Sequence, residues 1–265
     1  MIKLILKRLG LNDSIPKQYI RWANNIVYGD FGESIKYKRP VMDLVKERLP
    51  NTILLGTVSL IITYMISFTL GVISGRYSYT ISDYSIQVFN YVMLAIPSFI
   101  AGVFAIFFFA FQLNLFPFQG SVDINIKEGT LDYYINKLYH TILPATTLGV
   151  LSTAGYIQYL RNDIIENSQE DYVLTAQSKG FSTNKIYLKH ILRKSLIPII
   201  TFLGADKYFR WCRYNSIGKL FLESVTGQDY PVMMAMTLFF SFLGLLGNLI
   251  SDITYGFVDP RIRSN

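Results

Sequence analysis

Cysteine and histidine are nearly absent: one Cys and two His occur in 265 residues. A lone cysteine excludes a disulfide scaffold, and one thiol with two imidazoles makes no structural zinc site. Charge is also scarce, at 16% of residues against roughly 25% in an average soluble domain. With 51% hydrophobic residues the chain is not a disordered one. No Gly-x-x-x-x-Gly-Lys-Ser/Thr loop occurs, so nothing here cradles the phosphates of ATP. The net charge of +7 would suit nucleic acid only if the bases shared a face with aromatic readers. They sit instead beside long uncharged windows, which points to a lipid bilayer.

Those windows are what the sequence has in plenty. Crossing a hydrocarbon core of roughly 30 Å takes about 20 apolar residues in a helix. Residues 52–75 form 24 uncharged positions ending at Arg76, and 39 more lie between Asp83 and Asp123, densest over 103–111. Two further windows of 20 residues cover 141–160 and 232–251. The spacing therefore predicts an all-α polytopic membrane protein with spans at about 52–75, 86–111, 141–160 and 232–251. A fifth window begins at Leu196 but reaches only Ala205 before Asp206 and Lys207. Ten helical residues rise about 15 Å, half a bilayer, so a short, damaged span is expected over 196–209. Residues 1–50 read as an N-terminal extramembrane segment and 51–265 as the transmembrane domain. Met1 to Arg8 opens basic and apolar, but Asn12 and Asp13 interrupt it before the core of a signal peptide develops.

Loop charges set the orientation. Residues 161–194 carry six bases and four acids, whereas 112–140 carry two bases and three acids. The positive-inside rule puts 161–194 in the cytoplasm and 112–140 outside. Arg76, Arg261 and Arg263 then also fall inside, given a crossing between 195 and 231. Residues 1–50 fall outside, an awkward place for ten bases and five acids with no span before them.

Within the cytoplasmic loop, 170–180 reads as a short helix closed by Gly180, since glycine takes the left-handed conformation without a Cβ penalty. Ser182 offers an N-cap to a second helix from about Thr183. The hairpin is either a knob for a soluble partner or an amphipathic connector resting on headgroups. Tyr172, Val173 and Ala176 form its apolar stripe, which docking or membrane resting would use alike.

These residues resemble a known family. Asp171-Tyr172-Val173-x-Thr175-Ala176-x-x-Lys179-Gly180, with Leu196-Ile197-Pro198 downstream, is similar to the "EAA" coupling loop of ABC importer permeases, specifically the oligopeptide/dipeptide/nickel type. Gly29-Asp30-Phe31-Gly32-x-Ser34, Glu47-Arg48-Leu49-Pro50-x-Thr52, Pro97-Ser98-Phe99, Leu143-Pro144-Ala145, Asp229-Tyr230-Pro231-Val232 and Asp259-Pro260-Arg261-Ile262 follow in family order. The resemblance implies a type I ABC importer permease-like helical bundle with a cytoplasmic coupling hairpin in a bacterial inner membrane. It implies a homologous permease subunit, two cytoplasmic ATP-binding subunits and an extracellular solute-binding protein as partners, besides the lipid bilayer, and no nucleic acid. ATP hydrolysis falls to the separate subunits, so no catalytic, cofactor-binding or metal-binding residue is expected. Asp171, Tyr172, Val173, Thr175, Ala176, Lys179 and Gly180 are the expected ATPase-coupling residues, Gly180 chiefly as a helix cap. The cargo would be small peptides or nickel, along a path whose residues the sequence does not name.

Single residues outside the loop carry blander readings. Asp252 reads as a packing or salt-link group near the cytoplasmic end, His140 as interfacial, Cys212 as a bystander, and Pro97 and Pro144 as kink or start positions. Two family pieces are shortened: the first spanning helix, of which Met1–Arg8 resembles the start, and the segment between Gly204 and Ile217. Two functional readings follow, an importer subunit and a truncated, non-transporting remnant or assembly component.

Overall fold

A computed structural model describes residues 14–196 and 216–258. The expectations for Met1–Arg8, for 197–209 of the shortened span, for Cys212 and for 259–263 lie outside the described residues. The helices are α1 (Ile15–Val27), α2 (Val41–Arg76), α3 (Ile81–Ala95), α4 (Ser98–Ala105), α5 (Leu131–Ser168), α6 (Asp171–Ser178), α7 (Thr183–Ile186), α8 (Ser216–Thr226) and α9 (Tyr230–Val258). π-helical segments Ile106–Gln112 and Tyr187–Ile191 prolong α4 and α7. Among the described residues the only β pairing is an isolated bridge between Glu33 and Pro40. The described residues fall into two compact units, one within 1–52 and 212–243 and the other within 53–211 and 244–265.

In the first unit the loop between α1 and α2 is held by one carboxylate. Asp229, fully buried just before α9, accepts hydrogen bonds from the Ser34 hydroxyl, from Ile35 N at 3.1 Å and from Lys36 N at 3.2 Å. Beside it Glu223 of α8 accepts from the Tyr37 hydroxyl and lies 3.5 Å from Arg48 Nη1. Thr52 Oγ1 donates to Arg48 O at 3.1 Å, two residues past the helix-interior Pro50, and accepts from Ile217 N at 3.3 Å. Val41, Leu44, Ile217, Leu220, Val232 and Met236 are buried as the apolar core of this unit.

Burial pushes the Asp229 carboxyl up, but the Ser34 hydroxyl and the backbone amides of Ile35, Lys36 and Val232 outweigh it and hold the group below the ordinary aspartate value of about 3.9. Glu223 is held low chiefly by the Tyr37 hydroxyl, against burial and with help from Arg48. Both folded pKa values are depressed. Their contribution to stability is therefore complete above the ordinary carboxylate range and is lost as pH falls through the folded values. Unfolding midpoints of the purified protein should fall steeply below about pH 4. Asp229→Asn should be less stable at neutral pH and show a shallower acid loss.

In the second unit the two longest helices, α2 and α5, meet along a seam of small residues. Ser59, Thr63, Ser67, Gly71 and Gly75 recur every four positions and so share one face of α2. Ser59 Oγ donates to Ala145 O at 2.8 Å, Thr63 Oγ1 to Gly149 O at 3.0 Å and Ser67 Oγ to Thr153 O at 3.3 Å. Below them a Cβ on Gly71 would lie 3.0 Å from Leu160 Cβ, and one on Gly75 2.8 Å from Ile164 Cβ. On α5, a Cβ on Gly149 would meet Ser59 O at 3.0 Å. Small residues let the backbones approach, and each buried hydroxyl finds a carbonyl across the seam.

The apolar windows sort unequally. Val41–Arg76 and Tyr230–Ile250 are long and apolar enough to cross a membrane, and Ile81–Ala95 with Ser98–Gln112 is so only as a pair. That pair, expected as one span over 86–111, is bent by 99°. The cause is Pro97: it has no N–H to continue the ladder, and it holds Ile96 extended at φ −80° and ψ 119°. The window at 141–160 lies in α5, whose 38 residues are long enough but which does not pass on apolarity. Gly149, Thr153, Ala154, Tyr156, Ile157 and Leu160 of that window are buried against protein, where apolarity is not demanded. His140, expected at an interface, is buried on α5, with Nδ1 3.2 Å from Gly120 O and Nε2 3.3 Å from Asp123 Oδ1. Asp252 is exposed on α9.

One buried ion pair ties α3 to α5. Arg161 grips Asp83 with two parallel bonds, Nε to Oδ1 at 2.8 Å and Nη2 to Oδ2 at 2.7 Å. Ser74 Oγ and the Tyr79 amide also donate to Asp83.

Candidate functional site: the helical hairpin at 171–191

Glu170 stands at the N-cap of α6, and Asp171 adds a carboxylate to its first turn, where it complements the helix dipole. At the other end Gly180 takes φ +77° and donates to Gln177 O at 2.9 Å, while Phe181 N donates back to Ala176 O at 3.2 Å. That backward bond from the residue after the glycine closes the helix as a Schellman-type cap. Ser182 does stand at the N-cap of α7 in an extended conformation, but its side chain makes no capping bond.

The inner side of the hairpin belongs to the bundle core. Val173 and Ala176 of α6 join Ile186, Tyr187 and Ile191 in a buried cluster with Leu160 and Ile164 of α5. Tyr172 packs half-buried against it, its hydroxyl donating to Asn167 O at 3.0 Å and its ring lying 3.5 Å from Lys194 Nζ. From the π-helical segment after α7, the Tyr187 hydroxyl donates to Val72 O of α2 at 3.2 Å. The Arg76 guanidinium lies 5.0 Å from the Tyr187 ring centroid and donates to Asn184 Oδ1. Burial pushes the Tyr187 hydroxyl up to about 12, against the neighbouring Arg76 charge, so it stays a neutral donor.

The outer side is what the hairpin offers. Asp171, Thr175, Lys179 and Gly180 are exposed, as are Ser178 and Leu174, the last at 59%. Thr175 and Ser178 turn their hydroxyls onto Asp171 O and Leu174 O, each at 3.0 Å. Phe181 extends the patch, with Lys185 Nζ 4.6 Å from its ring centroid. The structure thus divides the expected coupling residues. Asp171, Thr175, Lys179 and Gly180 face outward, whereas Val173, Ala176 and in part Tyr172 anchor the hairpin from within. Leu174, Phe181 and Asn184 were not expected, and the helical period supplies a signal for Leu174: it falls opposite the 172/173/176 stripe.

No residue of a translocation path emerges with comparable clarity. A cavity of about 790 Å³ opens between α3, α4 and α5, but its walls are almost wholly carbon, including Met93, Ile96, Phe104, Phe108 and Val150. Thr146 and Thr147 on its wall donate to Ile142 O and Leu143 O of their own helix. Nothing in that wall is left to greet a charged solute.

Residues 67–206, which take in the C-terminal end of α2, all of α5 and the whole hairpin, match the family described as binding-protein-dependent transport system inner membrane component. The chain belongs to this family. It is a multi-pass permease subunit of the bacterial inner membrane. Similarity to individual members runs almost end to end. The chain is 40% identical over 271 residues to the oligopeptide transport system permease protein AppB of Bacillus subtilis, covering 97% of this chain and 84% of that protein. It is 30% identical over 275 residues to the dipeptide transport system permease protein DppB of Lactococcus lactis, covering 99% and 85%. It is equally 30% identical over 275 residues to the glutathione transport system permease protein GsiC of Shigella flexneri, covering 99% and 84%. A permease subunit of this family is a transporter component rather than an enzyme.

Proposed function

We propose that this permease is one half of the translocation path of an ATP-driven importer of small peptides. An extracellular solute-binding protein delivers the cargo, a homologous permease supplies the other half of the path, and two cytoplasmic ATP-binding subunits drive it. The observation that carries the reading is the hairpin: an outward face of Asp171, Leu174, Thr175 and Lys179 on a knob pinned from behind by Val173, Ala176 and Tyr187. A knob so pinned transmits displacement rather than absorbing it. Closure of the soluble subunits would shift α6, and the Tyr187–Val72 bond and the α2–α5 seam would pass that shift to the spans. Peptides are favoured over nickel because three relatives carry oligopeptide, dipeptide and glutathione transport in their names.

Uptake of labelled di- and tripeptides, in a strain lacking the cognate permease but retaining its partners, tests the proposal. At equal membrane abundance this chain should restore uptake, and unlabelled peptide but not nickel should compete. Full abundance without uptake, beside a relative that restores it, would leave the non-transporting remnant as the correct reading.

A further inference from the structure

Helix α1 buries none of its thirteen residues, although it is sharply two-sided. Ile15, Tyr19, Trp22, Ala23 and Ile26 recur at i, i+4, i+7, i+8 and i+11, which places them on one face of a helix. Ile15 is 82% exposed and Tyr19 64%, and Tyr19 and Trp22 pack ring against ring with centroids 5.7 Å apart. Lys17, Arg21 and Asn24 occupy the opposite face, and residues 14–29 contain no carboxylate.

The helix is also tethered. Asp30 N donates to Asn25 O at 2.9 Å and Asp30 Oδ1 accepts from Gly32 N at 2.9 Å, fixing the exit from α1. Gly32 sits against Pro231, to whose Cβ a Cβ on the glycine would come within 4.0 Å. Pro231 is the second residue of α9, whose apolar run starts at Tyr230. Gly32 follows Val27 by five positions, a reach of at most about 18 Å. The end of α1 therefore stays close to the point where a membrane-crossing stretch begins.

We infer that α1 lies in the plane of the bilayer surface and inserts its Ile15–Tyr19–Trp22–Ile26 face among the lipids, with anionic phospholipid headgroups as the partner of the exposed Lys17 on its opposite face. Three features select a lipid surface over a protein groove: the aromatic pair suited to the headgroup level, the exposed Lys17 on the face opposite it, and the tether to the start of α9. An interfacial helix of this kind places its apolar face about 5–10 Å into the boundary between headgroups and acyl chains. The inference does not depend on what the importer carries.

The test uses Trp22 itself. The chain has two tryptophans, so Trp211→Phe leaves Trp22 as the sole emitter. The full-length variant is reconstituted into vesicles of phosphatidylcholine and phosphatidylglycerol. Bromine near the carbonyl end of the acyl chains should quench its emission more than bromine near the methyl end, and aqueous acrylamide should quench weakly. Lys17→Glu should reduce the bromine quenching in phosphatidylglycerol-containing vesicles only. A spin label at Ile15→Cys in a Cys212→Ser background should report the same shallow depth, which guards against a local effect of Trp211→Phe. Free access of acrylamide with no bromine quenching would overturn the inference. So would loss of bromine quenching when the binding protein or the second permease subunit is added, since a protein would then be the occupant.

Discussion

Replacing Arg161 by alanine should destabilise the folded bundle by about 3–5 kcal/mol, the loss expected when one partner of a buried ion pair is removed. Asp83 has no accessible surface, and Arg161 supplies two of its hydrogen bonds in parallel, at 2.7 and 2.8 Å. Without the guanidinium, Ser74 and the Tyr79 amide remain as donors, and they bring no positive charge. The stranded carboxylate must then take up a proton or draw in water, and either route loosens α3 from α5. Desolvating both charges offsets much of what the intact pair contributes, so removing both is far milder than removing one. Denaturant or thermal unfolding of the purified protein should rank Arg161→Ala well below the double variant Asp83→Leu, Arg161→Met. A double variant as unstable as the single would mean that side-chain packing, not charge, holds this joint.

How much of this was legible beforehand differs by the force that writes each feature into the sequence. Lipid contact demands long apolar runs, so α2 and α9 stand out in the sequence. The helix α5 is muted because it is covered by protein, and Thr153 and Gln158 are tolerated where lipid would reject them. The bend after Ala95 was readable from Pro97, because proline restricts both itself and the residue before it. The π-helical stretch 106–112 was not, since nothing in Ile-Phe-Phe-Phe-Ala-Phe-Gln separates it from an ordinary helix. The four-residue repeat from Ser59 to Gly75 is visible in hindsight, but a stripe of small residues does not say which helix will lie upon it.

The hairpin shows the same division on a smaller scale. Gly180 announces its turn, since a left-handed cap has few other candidates. The apolar stripe of Tyr172, Val173 and Ala176 was equally readable, yet its meaning was not. Periodicity says that one side of a helix is to be covered, and it is silent on whether the cover is this chain or another. The cover is α5, with Tyr187 and Ile191 of the hairpin's second arm. Contacts such as Asp229 to Ser34, 195 residues apart, leave no local trace at all.

That division gives the second large effect. If the proposed docking is right, a charge at Leu174, a 59% exposed leucine at the centre of the outer face, would be buried unpaired against an ATP-binding subunit. Leu174→Asp should weaken that association by roughly 2 kcal/mol or more, about thirtyfold, as for an interface hot spot. It should leave unfolding of the isolated permease unchanged. Val173→Asp should do the reverse first, by placing a carboxylate in the core.

The most direct measurement is cysteine cross-linking in the assembled importer, with Cys212→Ser as the background. Single cysteines at 173, 174, 175 and 176 sample both sides of α6 within one helical turn, and cysteine is small enough to sit on either. Adducts to the ATP-binding subunit from 174 and 175, with none from 173 and 176, are what the outward face requires. Adducts from 173 and 176 alone, or none from 174 and 175 while the subunits co-purify, would contradict it.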